Sequence, residues 1–266
     1  MRAFVLAAGL GTRLRPLTQV LPKPMVAVGD MPLVERAVRQ LAAAGIREIG
    51  VNVFYQPEPI LTWLGDGSRF GVTLRYFDER NALPGEALGR REPLGTGGGL
   101  KAAEAWLRAG GDQFLLVNAD VWHSFDLAGV CARHQPGALA TMAVHVDRRR
   151  PELHTLECRH DGQMRRFLAR VPMSVDELET QEQGFLGIYT GVAVFSTALL
   201  DRLPAGRVSG LVLHGLAPAL AEGASIQWVR PDGLWVDCGT IDELQRADTF
   251  ARSLRCLPQE AVLLKG

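Results

Sequence analysis

Short apolar runs separated by polar loops rich in glycine and proline set the pattern of this chain. Phe4-Val5-Leu6-Ala7-Ala8 is continuously apolar and stops at Gly9, which predicts a strand buried on both faces. A polar loop follows as far as Pro24. Pro32 suits the first position of a helix in which Val34, Ala37, Val38 and Leu41 share one face, with Gly45 closing it. The runs 49–53, 72–76 and 114–117 predict three more strands, and helices are predicted at 60–64 and 99–107. Beyond residue 120 the pattern changes. Residues 138–146 alternate, 155–158 and 164–167 flank Asp161-Gly162 as a two-residue hairpin, and 188–195, 226–229 and 234–236 read as strands. Helices are predicted near 197–203, 211–221 and 241–252.

Strand and helix alternate over residues 1–120, as in a doubly wound half with right-handed crossovers; the rest reads as a mixed half. The expected fold class is α/β with a Rossmann-like mixed central sheet, in one domain spanning 1–266. Ligands of such sheets sit beyond the carboxyl ends of the strands, which places the loops after Ala8 and Val117 on one rim. Composition narrows the classes. The 29 basic and 29 acidic residues cancel, which argues against bulk electrostatic attachment to nucleic acid or membrane. Four scattered cysteines without a C-x-x-C pair fit a reducing compartment. The apolar start is too short to span a bilayer and lacks a leader's basic start, so a cytoplasmic protein is expected. Lysine occurs only at Lys23, Lys101 and Lys265, so a lysine in a loop suggests a position that wants a compact ammonium.

The loop from Ala7 to Leu14 carries the first chemistry. Gly9 and Gly11 let backbone N–H groups approach an anion, and Thr12, Arg13 and Arg15 add a hydroxyl and two guanidinium groups. The third glycine of a dinucleotide fingerprint is Leu14 here, and no Gly-Lys-Ser/Thr follows as in a Walker loop. Lys23 stands between Pro22 and Pro24, which restrict where it points. Cations gathered on a glycine loop suit a polyphosphate; an ordinary strand-to-helix loop with solvated arginines is the alternative.

Residues 6–18 (LAAGLGTRLRPLT) followed by Pro22-Lys23-Pro24-Met25 resemble the signature of the sugar-1-phosphate nucleotidylyltransferases. Glu92 to Gly99 (EPLGTGGG) resembles their second nucleotide loop, and Val117-Asn118-Ala119-Asp120 their metal-binding strand end. Tyr189-Thr190-Gly191-Val192 and Trp235-Val236-Asp237-Cys238-Gly239-Thr240 resemble two later motifs. The resemblance implies the nucleotide-diphospho-sugar transferase (GT-A-like) fold, with a nucleotide-binding half at 1–120 and a sugar-binding half at 121–255. It implies transfer of a nucleoside monophosphate from an NTP to a sugar-1-phosphate, releasing pyrophosphate. Arg13, Lys23 and Asp120 would be catalytic. Ala7, Ala8, Gly9, Gly11, Thr12, Arg13, Gly95 and Gly98 would bind nucleotide, with the loop 94–99 passing its backbone close to base and ribose. Asp120 and Asp237 would hold Mg2+. Asn118, Tyr189, Thr190 and Gly191 would receive the sugar. NTP and sugar-1-phosphate are the expected partners, with no nucleic acid or membrane; monomer and homo-oligomer both stay open.

Some positions depart from that pattern. Ala119 stands where the family usually has glycine, and Ala169-Arg170 replaces a Glu-Lys-Pro whose glutamate contacts sugar hydroxyls. Arg148, Arg149, Arg150, Arg159, Arg165, Arg166 and Arg170 form a basic stretch that reads as a solvated face or subunit contact rather than an anion site. His154, Cys158 and His160 would share one strand face, without a fourth ligand for a metal. Trp122 and His123 could line the site or simply pack. The segment 117–127 resembles uridylyltransferases for N-acetylmuramate-1-phosphate, whereas Leu94 to Gly98 resembles guanylyltransferases for mannose- or heptose-1-phosphate. The base stays open between UTP and GTP. Alternative readings are a non-catalytic nucleotide-sugar-binding regulator and a cytidylyltransferase for a non-sugar phosphate.

Overall fold

The computed structural model describes residues 1–81, 92–168 and 184–255. Thirteen strands lie among them: β1 (Arg2–Leu6), β2 (Ala27–Val28), β3 (Met31–Pro32), β4 (Glu48–Val53), β5 (Thr73–Asp78), β6 (Gln113–Asn118), β7 (Val121–His123), β8 (Ala140–His145), β9 (Leu156–Arg159), β10 (Met164–Phe167), β11 (Gly184–Ser196), β12 (Ile226–Val229) and β13 (Trp235–Asp237). The apolar run at the start is flanked on both edges, by β4 and by β6, in parallel register. Its side chains alternate between two cores: Ala3 and Val5 face one and Phe4 the other. Continuous apolarity, rather than alternation, therefore marks the strand.

Nine strands form one mixed sheet ordered β10-β9-β11-β6-β1-β4-β5, with β8 and β12 extending from β11. The pairs β1–β4, β1–β6, β4–β5 and β8–β12 are parallel, whereas β11 runs antiparallel to β6, β8 and β9. The helices Leu33–Ala43 and Pro57–Leu64 connect the parallel strands of the first half, as their apolar faces predict.

Three local expectations change. The helix expected at 99–107 begins earlier, on the glycines, as Gly95–Ala102, and a second helix, Glu104–Arg108, follows. The hairpin between β9 and β10 closes with three residues, not two. Gly162 takes φ +86° and Arg159 N–H donates to Gln163 O, the geometry of a turn followed by a glycine bulge. A strand absent from the expectation, β7, pairs antiparallel with β13 outside the main sheet. Trp122, buried on β7, packs there with Leu14, Val26, Val236 and Leu244 in a third core.

The basic stretch 148–166 is largely neutralised within the molecule. Arg165 and Arg166 both bind the buried Glu157, Arg159 binds Asp161, and Arg150 binds Glu152 and Glu243. Arg149 and Arg246 converge on Asp147, tying the end of β8 to the final helix Ile241–Arg255. Arg170 lies outside the described residues.

Burial alone would raise the Asp147 carboxyl, but its bonds from Arg149 and the nearby Arg246 outweigh this and hold it down to about 2. A group lowered on folding stabilises the fold above its unfolded value and loses that contribution as pH falls through the folded one. Asp147→Asn is expected to cost on the order of 1–2 kcal/mol at pH 7, with the gap to the parent closing between about pH 4 and pH 2 in denaturant titrations. A gap that stays constant to pH 2 would remove the carboxylate from this account.

Candidate active site

Three chain segments end at one point on the rim. β1 ends at Leu6, where its ladder with β4 and β6 stops, and the glycine loop begins. Gly11 takes φ +61°, and a Cβ there would lie 3.0 Å from Lys23 Cβ and 3.1 Å from Thr18 Cγ2. Only glycine lets the loop fold onto the lysine stem in that conformation. The Thr18 hydroxyl donates to Gly11 O at 2.8 Å and fixes the fold-back. Lys23 is consequently 5% exposed, its stem covered and its ammonium directed inward.

That ammonium donates to Asp120 Oδ2 at 2.8 Å and lies 3.9 Å from Asp237 Oδ1. The two aspartates, far apart in sequence, meet because β7 pairs with β13. Val121 stands opposite Asp237 in the register, so Asp120 sits one residue before that pair. Arg13 completes the group, with Nη1 3.7 Å from Asp237 Oδ2. Its guanidinium lies against Gly239, where a Cβ would fall 2.7 Å from Nη2 and 2.9 Å from Cζ. Gly239 is therefore a site residue, selected for the side chain it lacks. Arg15 is exposed and does not line the cavity.

A cavity of about 270 Å³ opens beside this cluster. Ala7, Ala8, Gly9, Gly11, Thr12, Arg13, Lys23, Asp120 and Gly95 line it. Gly9 has open space where a Cβ would be, so a side chain there would occupy the cavity itself. Asn52 and Glu79, two residues not anticipated, also line it. An asparagine inside the apolar run 49–53 was the available signal, since a buried parallel strand rarely carries an amide without a partner.

The segment 94–99 behaves differently from expectation. It is helical from Gly95, and the N–H groups of Gly97 and Gly98 both donate to Ser209 O, at 2.8 and 3.2 Å. The segment around Ser209 lies so close that a Cβ at Gly95 would fall 2.6 Å from Ser209 O. Gly95 and Thr96 face the cavity; Gly98 lies on the opposite side, against Lys101 and Arg207. The Gly98 N–H is thus committed to the protein rather than open to a ligand.

A second cavity, about 190 Å³, adjoins the first and shares Asn118 and Asp120 with it. Tyr189, Thr190, Gly191, Trp235 and Asp237 line it. Asn118 Oδ1 and Tyr189 Oη are buried there without hydrogen-bond partners, acceptor and hydroxyl groups that a polar ligand would satisfy. Burial pushes the Tyr189 phenol up, so it remains a neutral hydroxyl. Gly191 has φ +82°, and a Cβ there would strike Asn118 at 2.8 Å. The Thr190 hydroxyl faces away and donates to Ala143 O.

Other sequence candidates fall elsewhere. Ala119 is fully buried in a core, so its methyl points into packing and not into either cavity. His123 is buried and accepts from Phe125 N–H; burial, then the Arg36 charge, pushes it down to about 3, so it stays neutral. His160 lies in the exposed turn, apart from the buried His154 and Cys158. Ala169 lies outside the described residues. Among the described residues no three His, Cys, Asp or Glu side chains form a metal cage. The two carboxylates, Asp120 and Asp237, have the oxygen chemistry that suits a hard divalent cation.

Comparison with known proteins shows the family and the fold. A family model described as nucleotidyl transferase matches residues 2–253. A UTP–glucose-1-phosphate uridylyltransferase of Synechocystis is 31% identical over 250 residues, covering 93% of this chain. A mannose-1-phosphate guanylyltransferase of Mycobacterium tuberculosis is 30% identical over 245 residues, covering 92%. The chain spans 62% of the length of each of these relatives. The crystal structure of HddC from Yersinia pseudotuberculosis complexed with GMP-PN superposes with a TM-score of 0.72 over 94% of this chain and 99% of that one, at 19% identity. That likeness shows the shared GT-A-like fold.

Gly239→Ala is expected to push the Arg13 guanidinium off Asp237 while leaving the fold in place. Calorimetric titration with inorganic pyrophosphate should show affinity weakened about tenfold, the size of one charge-assisted contact. Unchanged affinity would mean that Arg13 does not face the bound anion.

Proposed function

The chain belongs to the nucleotidyl transferase family, and from that premise we propose that it transfers a nucleoside monophosphate from a nucleoside triphosphate to a sugar-1-phosphate. A phosphate oxygen of the sugar-1-phosphate bonds to the α-phosphorus, the bond from that phosphorus to the bridging oxygen breaks, and pyrophosphate leaves with the electron pair. The product is a nucleotide-activated sugar. One observation carries this reading: Arg13, Lys23, Asp120 and Asp237 meet where two adjoining cavities share a wall. The triphosphate fits the glycine-loop cavity and the sugar phosphate the neighbouring one, so the reacting atoms meet at the shared residues.

The nucleophile is already an anion, so no side chain has to remove a proton from it. Catalysis then consists of alignment and neutralisation of charge. Arg13, at the outer edge, offsets the charge that develops on the departing pyrophosphate. Lys23 draws the α-phosphate and the incoming phosphate together against their mutual repulsion. A magnesium ion held by Asp120 and Asp237 would add positive charge against the phosphate oxygens. Asn118 Oδ1 and Tyr189 Oη offer hydrogen bonds to sugar hydroxyls. The similar proteins are named for uridylyl and guanylyl transfer alike, so UTP and GTP are the two donors to test. The proposed location of the reaction is the cytoplasm, where a nucleoside triphosphate donor is available; no described helix is long and apolar enough to cross a membrane.

The test is a panel of four NTPs against glucose-, mannose-, N-acetylmuramate- and heptose-1-phosphate with Mg2+, read by pyrophosphate release. Turnover is expected with one base strongly preferred; silence across the panel would favour a nucleotide-sugar sensor instead. Lys23→Ala and Asp120→Ala are each expected to lower kcat by at least ~10²-fold, the scale of losing one preorganised charge contact. Near-parent rates in either variant would remove that residue from the chemistry.

A further inference from the structure

Asn52 and Glu79 form a buried chain of hydrogen bonds between the two segments that bracket the first cavity. Leu6 is the last residue of β1 in register with β4, opposite Asn52, so the next N–H has no ladder partner. Asn52 Oδ1 accepts it: Ala7 N–H donates at 2.7 Å. Asn52 Nδ2 in turn donates to Glu79 Oε1 at 2.7 Å, and Leu94 N–H donates to Glu79 Oε2 at 2.7 Å. Asn52 is 2% and Glu79 1% exposed. Gly99 makes room for the relay, since a Cβ there would fall 2.6 Å from Glu79 Oε1 and 2.8 Å from Asn52 Nδ2.

We propose that Asn52 and Glu79 are positioning residues, a three-bond relay whose donor–acceptor order fixes the spacing between the glycine loop at Ala7 and the helix start at Leu94, and so sets affinity for the nucleotide. The inference rests on the nucleotide site argued above and adds a residue pair to it. Short bonds in a water-poor wall are strong, and a mismatched order leaves a buried polar group unsatisfied. The relay carries no reacting atom. It acts on binding, and raises KM or Kd for the triphosphate without a matching fall in kcat.

The order of donors and acceptors makes a reciprocal exchange possible. In Asn52→Asp, two acceptor oxygens face each other between positions 52 and 79. In Glu79→Gln, the side-chain amide meets either the Asn52 amide or the Leu94 N–H donor to donor. In the double variant Asn52→Asp/Glu79→Gln, every bond is restored with the direction of the central one reversed, and a carboxylate and an amide have only changed places. Each single variant is expected to weaken NTP binding about tenfold, measured calorimetrically without the sugar phosphate, and the double variant to return within about threefold of the parent. KM should follow Kd while kcat moves less than about threefold. Singles that do not fold beside a double that folds and binds would equally support the relay. A double variant that folds yet binds as poorly as the worse single would overturn it, because the carboxylate at 79 would then be needed for itself. A double variant that does not fold, or singles that bind like the parent, would overturn it too. Calorimetric binding separates this outcome from the fate of the proposed reaction: a parent that binds NTP but turns over no sugar phosphate would sink the reaction and leave the relay testable.

Discussion

One ammonium holds the site together. Lys23 brings a positive charge, on a stem almost wholly removed from water, to two carboxylates that different strands deliver. Asp120 follows the central parallel strand β6 and Asp237 ends β13, so each aspartate is placed by backbone pairing before any side-chain bond forms. Two carboxylates this close repel, and removing a buried partner from such a group is costly. The lysine therefore couples the glycine loop to both strand ends. The same arrangement suits phosphate chemistry, since a compact point charge can face several oxygens at once, where a planar guanidinium commits to one fork. The residue usage of the chain is consistent with this. Lys23 and Lys101 both direct their ammonium groups at oxygens far away in sequence, Lys101 pairing with Glu104 as well, whereas arginines form ion pairs at the periphery and at the buried Glu157 and Asp147 alike.

Glycine has the complementary role. Gly11 lies on the Lys23 stem, Gly239 under the Arg13 guanidinium, Gly191 against Asn118 and Gly99 against the Asn52–Glu79 pair. In each case the missing Cβ is replaced by the polar side chain that the site uses. The glycines at 95, 97 and 98 answer to a different neighbour, the backbone around Ser209, which caps the helix and takes its free N–H groups. Within one motif, then, adjacent glycines serve the cavity and the scaffold separately.

These distinctions explain what could be read from the chain in advance. The central parallel strands β1 and β6 were legible because two-sided burial demands unbroken apolar runs. The cations stood out as charges gathered on a glycine loop, whereas Asp120 and Asp237 stood out only through the motifs that resemble the family's, since an aspartate after a strand is by itself a common turn or cap residue. The helix on the glycine run was not, because local propensity opposes it and only contact with Ser209, distant in sequence, requires it. β7 was not, because three residues carry no period and its partner lies far along the chain. Gly98 was placed in the cavity by its motif, yet neighbouring residues of a helix face different ways, and its N–H meets Ser209 instead.

The acceptor side follows a further logic. Ala119 departs from the family's glycine, yet its methyl sits in a core, because in the chain alternation around β6 residue 119 faces inward while Asn118 and Asp120 face the cavities. An alanine beside Asp120 is thus accommodated by packing and opens onto neither cavity. Asn118 and Tyr189, whose Oδ1 and Oη are buried without hydrogen-bond partners, line the second cavity on the other side of that division. For the proposed transfer, discrimination between acceptors would fall to side chains that reach the second cavity from β11 and from the segment around Leu153 and Thr155, while the charge cluster lies at the wall the two cavities share.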